Sequence, residues 1–143
     1  MNDIKLSLKT EVLVRFSEVD TLRIVWHGNY LKYLEDGREA FGRKYGLGYL
    51  DYINNNLLTP IVKVDIDYKY PLYYGDKAII ETTYIDHESA KIVFDYKIYR
   101  ASDHVLVSAA STIQVFLNME RELQLTIPPF FEEWKRKWGF ISD

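Results

Sequence analysis

Cysteine is absent from this chain of 143 residues. That excludes a disulfide framework, a zinc–thiolate site and a thiol nucleophile. Histidine is scarce, and the three present, His27, His87 and His104, are scattered too widely to read as a metal site. No apolar run is long enough to span a bilayer. The first residues, Met1-Asn2-Asp3-Ile4-Lys5, carry charges and no apolar segment, so no signal peptide is expected. An excess of basic charge is missing as well. Eighteen Lys and Arg face 21 Asp and Glu, interspersed, for a net charge of −3, which argues against a nucleic-acid partner. Neither a Gly-x-Ser-x-Gly elbow nor a Gly-x-x-x-x-Gly-Lys loop occurs, which removes the nucleophile turn of one hydrolase class and the phosphate cradle of nucleotide hydrolysis. Repeats, low-complexity stretches and linkers are absent too. One domain over residues 1–143, in the cytoplasm, is the expectation.

What is present can build a core. Hydrophobic residues make up 48% and charged residues 27%, the balance of a folded globular chain rather than a disordered one. Twelve tyrosines and seven phenylalanines give a high aromatic load. Tyrosine offers broad contact surface with a polar tip, which suits interfaces and wet pockets.

Thr10 to Ser17 reads as a first strand, with Val12, Val14 and Phe16 on one face and Leu13 breaking the alternation. A loop around Asp20 follows. Gly28 to Tyr45 reads as a helix, because Tyr30, Leu34, Gly37, Phe41 and Tyr45 recur at three- and four-residue spacing. Asn29 is its predicted N-cap and Gly46 its stop. Glu39 and Arg43 form an i,i+4 pair, and Glu35 and Arg38 an i,i+3 pair. Gly37 inside the apolar stripe predicts close approach of the helix to a sheet.

Four extended segments follow: Ile61 to Tyr70, Lys77 to His87, Ala90 to Arg100 and His104 to Leu117. Tyr74-Gly75-Asp76 and Ala101-Ser102-Asp103 supply turns. Short turns predict antiparallel neighbours. The small run Ser108-Ala109-Ala110-Ser111 predicts the strand over which Gly37 and Ala40 pass. Residues 128–138 read as a short amphipathic helix with proline first, acids early and bases late. One long helix against five strands gives an α+β fold in which an antiparallel sheet wraps one central helix. The sheet's other face needs solvent or a second subunit.

The stretch from Val14 to Tyr30 carries the chemistry. It sets a carboxylate, Asp20, seven residues before an imidazole, His27, on the run from strand into helix. A carboxylate there can serve as base or nucleophile, and amides at a helix start can hold an oxyanion. The plain structural alternative is that Asp20 forms the turn and His27 is a hydrogen-bonded scaffold residue.

These residues resemble the hotdog-fold acyl-CoA thioesterases of the 4-hydroxybenzoyl-CoA thioesterase type, closest to the branch with the Tol–Pal-cluster-associated acyl-CoA thioesterases. Arg15-Phe16, Asp20, Ile24 to His27, Asn29-Tyr30, Tyr33 to Glu35 and Arg38-Glu39 carry the likeness, with Thr59 to Val62, Asp67 to Pro71 and Tyr74 to Asp76 in support. The resemblance implies a five-stranded antiparallel hotdog sheet around the helix. It implies hydrolysis of acyl-CoA thioesters, with Asp20 attacking the carbonyl or activating water and His27 beside it. Val25, Trp26, Gly28, Asn29, Tyr30 and Arg23 become candidate substrate contacts. No cofactor and no metal are implied beyond the CoA of the substrate, and a homodimer or homotetramer is. The chain departs from the family at Arg23, where many relatives have glycine, and at Phe16, where many have tyrosine. Three other readings share this pattern: an acyl-carrier-protein thioesterase, a 1,4-dihydroxy-2-naphthoyl-CoA hydrolase, and a non-catalytic acyl-CoA-binding module. Glu35 is the rival catalytic carboxylate, because another hotdog branch places a glutamate on this helix.

Overall fold

The computed structural model describes residues 5–142. The reading of Met1 to Ile4 lies outside them. The elements run β1 (Ser7–Leu13), α1 (Tyr30–Tyr45), α2 (Tyr49–Asn54), β2 (Ile61–Tyr68), β3 (Lys77–Ile85), β4 (Lys91–Arg100), β5 (Leu106–Val115) and α3 (Pro129–Lys137). Two single 3-10 turns, Phe16–Glu18 and His27–Asn29, lie between β1 and α1. The strands form one sheet in the order β1-β3-β4-β5-β2, with every pair antiparallel. This is the α+β arrangement expected, a five-stranded sheet around one long helix.

The helix packs where its sequence allows. A Cβ on Gly37 would stand 2.5 Å from Thr82 Oγ1 and 2.7 Å from Ile80 Cγ2, so only glycine admits this approach. Both neighbours lie on β3. The expected crossing over Ser108 to Ser111 of β5 is therefore corrected: α1 sits toward the β1–β3 side of the sheet. Beneath it Phe41 meets Phe94 edge to face at 5.0 Å, among buried Leu34, Ile80, Ile92 and Ile98. Gly46 ends α1 at φ 87°, with its N–H on the Gly42 carbonyl. Glu39 and Arg43 pair at 3.4 Å as expected.

Other expectations change. The first strand begins earlier and stops at Leu13, because Arg15 N–H turns to the Glu18 carboxylate instead of a strand partner. Phe16 consequently points to solvent. Asn29 is not a side-chain cap; it is already helical, and its amide donates to the Glu18 carbonyl at 2.9 Å. Arg38 reaches the Tyr96 hydroxyl at 3.2 Å rather than Glu35. The helix α2 carried no recognisable pattern in sequence. The turn at Tyr74–Asp76 does not join neighbouring strands: β2 lies at one edge beside β5, whereas β3 pairs with β1 and β4. The 69–76 link therefore crosses the molecule.

The alternation of β2 is clean in sequence, yet Val62, Val64 and Tyr68 are all exposed. Since α1 packs mainly on the β1–β3 side, this edge strand reaches the core only through half-buried Ile66 and the Tyr68 contact with Tyr30, and the rest of it stands uncovered within the chain.

Candidate active site

The segment between β1 and α1 has little regular structure, so its polar groups need other partners. Glu18 supplies them. Its Oε1 accepts the Arg15 N–H at 2.8 Å and the Tyr33 hydroxyl at 2.9 Å. Its backbone carbonyl accepts the Trp26 N–H and the Asn29 side-chain amide, each at 2.9 Å. Glu18 is only 6% exposed, and a carboxylate is tolerated there because it is hydrogen-bonded. Burial, then the bond to Glu18, pushes the Tyr33 phenol well above its usual range, so it stays a donor.

Two residues on, Asp20 forms a tight turn. Its N–H donates to the Ile24 carbonyl and its carbonyl accepts the Arg23 N–H, both at 2.9 Å. Its Oδ1 accepts the Leu22 N–H at 2.8 Å. One carboxylate oxygen is thus fixed by the turn, the role that plain structure would give it, while Oδ2 has no hydrogen-bond partner among the described residues. Arg23 sits at the turn with φ 68°, a left-handed conformation that costs a side-chain-bearing residue about 1 kcal/mol.

The opposite wall is the crossing link. Val25 N–H donates to the Leu72 carbonyl at 2.8 Å, and Ile24 bridges to Tyr73. Arg100 clamps the link, donating to the Pro71 carbonyl at 2.6 Å and pairing with Asp103 at 2.7 Å and Asp76 at 3.7 Å. From the end of β2 the Tyr68 hydroxyl donates to the His27 carbonyl at 3.0 Å. The Tyr68 ring meets His27 edge-on at 6.1 Å and Tyr30 at 5.0 Å.

Between these walls lies a cavity of about 400 Å³, lined by Asp20, Leu22, Ile24, Val25, His27, Tyr30, Tyr68, Lys69, Tyr70 and Pro71. It brings together Asp20, His27, Val25 and Tyr30. Burial pushes the Tyr30 hydroxyl up to about 12, so it too stays protonated. Arg23, Trp26, Gly28 and Asn29 do not line the cavity. Arg23 is exposed at the turn. Trp26, 51% exposed, lays its ring where a Cβ on Gly28 would fall, so a side chain there would displace the ring. Asn29 gives its N–H to the Trp26 carbonyl at 2.9 Å, and Tyr30 gives its own to the His27 carbonyl. The N–H groups of His27 and Gly28 find no acceptor among the described residues. Of four amides at the helix start, two are therefore free to meet an oxyanion.

Sequence reading gave no role to Glu18, Tyr33, Tyr68 or Arg100, although Tyr33 and Tyr68 lie in stretches that carry the family resemblance. Nothing local shows their partners: Glu18 looks like a loop carboxylate, and its partner Tyr33 is fifteen residues away.

The model of the thioesterase-like superfamily matches residues 14–135. The chain belongs to this superfamily. YneP of Bacillus subtilis, provisionally named an acyl-CoA thioesterase, is 33% identical over 126 residues, covering 88% of this chain and 91% of that protein. The fold recurs in the DHNA-CoA thioesterase of Staphylococcus aureus, with a TM-score of 0.84 at 22% identity over 94% of this chain and 89% of that one. It recurs also in a 4-hydroxybenzoyl-CoA thioesterase complexed with 4-hydroxybenzoyl-CoA, with a TM-score of 0.78 at 23% identity over 90% and 98%. The hotdog architecture is shared with both superfamily structures.

Proposed function

We propose that this chain, acting as one hotdog domain, hydrolyses acyl-CoA thioesters to a free acid and CoA. The observation that carries the reading is that one cavity is lined by both Asp20, which keeps one carboxylate oxygen uncommitted, and His27, at the helix start where two amides are free. Asp20 attacks the thioester carbonyl or takes a proton from a water that does. The carbonyl oxygen becomes negative as the new bond forms, and the two amides, at the positive end of α1, stabilise it. The C–S bond then breaks, the CoA sulfur leaves with the electron pair and is protonated, and water supplies the oxygen of the acid. The His27 imidazole orients Asp20 or the water. Val25 and Tyr30 line the acyl side, Trp26 and Asn29 keep the helix start in place, and Arg23, exposed at the turn, reaches an acidic group of the substrate.

The uncovered β2 edge supports a homodimer formed there, with dimers pairing again into tetramers. Among the described residues no helix is long and apolar enough to cross a membrane, and cytoplasmic work on acyl-CoA is the reading adopted. The test is release of thiol from short, long and aromatic acyl-CoAs, which a cysteine-free protein allows without background. Turnover is expected with at least one class. Saturable binding of every class with no thiol released would mark a binding module instead.

A further inference from the structure

Two large aromatic side chains stand mostly in solvent and still touch. Phe16 is 75% exposed and Tyr74 64%, and their rings meet edge to face at 5.9 Å. Backbone bonds fix the pair from both sides. Gly75, at φ 84°, makes a turn in which the Asp76 N–H donates to the Tyr73 carbonyl at 3.0 Å, with Tyr74 at the corner. Val14 holds that turn against the end of β1. It gives its N–H to the Asp76 carbonyl at 2.8 Å and accepts the Gly75 N–H at 3.4 Å. Phe16 follows two residues later. An aromatic surface held in place and left open to water is a place for a ligand.

Hydrogen-bonded register joins the pair to the Asp20 cavity. Asp20 gives its N–H to the Ile24 carbonyl and Ile24 bridges to Tyr73, so the three residues stand in one row. Directly opposed residues share a face, and Asp20 and Ile24 both line the cavity. Tyr73 therefore continues the cavity wall outward. Its ring is half exposed, with the Arg100 guanidinium 5.8 Å from the centroid. Each step of the row is about 5 Å between Cα atoms and Tyr74 is about 4 Å beyond Tyr73, which puts it no more than about 15 Å from Asp20.

The substrate proposed above has a group that fits this surface. A thioester seated at Asp20 with its acyl part toward Val25 and Tyr30 sends its CoA part away from them, and the row through Ile24 to Tyr73 leads outward. CoA ends in a purine, a flat ring system of the kind that stacks on aromatic side chains, and its phosphates call for cations. The pantetheine arm spans the distance between. Arg15, next to Phe16, and Arg23, in the Asp20 turn, are both exposed, and neither is within ion-pair distance of a carboxylate among the described residues.

We infer that Phe16 and Tyr74 form the platform on which the purine of an acyl-CoA stacks, with Arg15 and Arg23 at its phosphates. The inference rests on the hydrolytic reading above. Its test compares S-octyl-CoA with S-octyl-pantetheine, thioethers that cannot be hydrolysed and differ only in the nucleotide with its phosphates. Calorimetry should show the parent binding the CoA ligand at least about tenfold more tightly. In Phe16→Ala and in Tyr74→Ala that preference should shrink by about tenfold, a typical loss when a base is deprived of its stacking ring. The KM of the best acyl-CoA should rise by a similar factor. Phe16→Tyr and Tyr74→Phe keep the rings and should keep the preference. No preference in the parent, or one that survives both alanine substitutions, overturns the platform while leaving the hydrolytic reading intact. A preference that falls with the rings, with no thiol released from any acyl-CoA, supports the platform and overturns hydrolysis.

Discussion

At the C-terminal end of α1 aromatic rings are stacked and buried, while at its N-terminal end, beyond buried Tyr30 and Tyr33, several of the same residue types stand open. Around Tyr45, the indoles of Trp134 and Trp138 both donate to its carbonyl, at 2.6 and 3.1 Å. Trp134 stacks on Phe131 at 5.6 Å and on Phe140 at 5.9 Å, and meets Tyr84 at 4.9 Å. Even Lys135 is buried there, held by the His87 carbonyl at 2.8 Å and Asp86 at 3.1 Å. Around the helix start, Phe16, Leu22, Trp26, Tyr68, Tyr70 and Tyr74 are exposed. One end spends its aromatics on satisfying a helix terminus and filling the core. The other keeps amides, a carboxylate oxygen and apolar faces unspent, which is what a ligand needs.

The contrast can be broken from either side. Trp134→Ala removes a buried ring and the donor to Tyr45, and should destabilise by about 3–5 kcal/mol. Chemical denaturation would show this, while turnover per folded molecule stays near the parent value. Glu18→Ala leaves the Arg15 N–H and the Tyr33 hydroxyl without their acceptor. A loss of about 2–4 kcal/mol is expected, together with a fall in kcat, because Glu18 also holds the chain between Asp20 and the helix start. Glu18→Gln, which keeps an acceptor, should cost less on both counts. Tyr68→Phe removes the bond to the His27 carbonyl. Thermal stability should change by under about 1 kcal/mol, and kcat should drop by up to about tenfold as the turn loosens, with KM little changed.

The smallest effect is expected at Arg23. Replacing it with glycine relieves a left-handed side chain, and denaturation should show a gain of no more than about 1 kcal/mol, offset in part by greater freedom of the unfolded chain. A loss of stability would mean that the guanidinium does more than tolerate its position.

Much of the fold was legible in the sequence because it rests on local periodicity. The stripe from Tyr30 to Tyr45 and the strand alternations forecast α1 and all four later strands to within a few residues. Gly37 forecast a close approach but not its partner, since any strand with an open surface would satisfy the sequence, and Ile80 and Thr82 won over Ala109 and Ala110. The uncovered face of β2 was invisible for a related reason: alternation reports that a face is apolar, not what covers it. In the site, Asp20, His27, Val25 and Tyr30 come together in one cavity, brought there by a short turn and the first residues of the helix. The roles of Glu18 and Tyr68 were not legible because their partners, Tyr33 and the His27 carbonyl, are fifteen and 41 residues away. Such pairings depend on topology, above all on the 69–76 link crossing the molecule.

The central claim is that the Asp20 carboxylate does chemistry while the turn it forms stays intact without its charge. The direct measurement is kcat for thiol release by Asp20→Asn beside the parent, with the melting temperature of both. Asparagine keeps the Oδ1 that accepts the Leu22 N–H, so the turn should survive and the melting temperature should stay within about 2 °C. The prediction is a fall in kcat of about 10²-fold or more at that unchanged melting temperature. An unchanged kcat would contradict the claim and move the chemistry to Glu35.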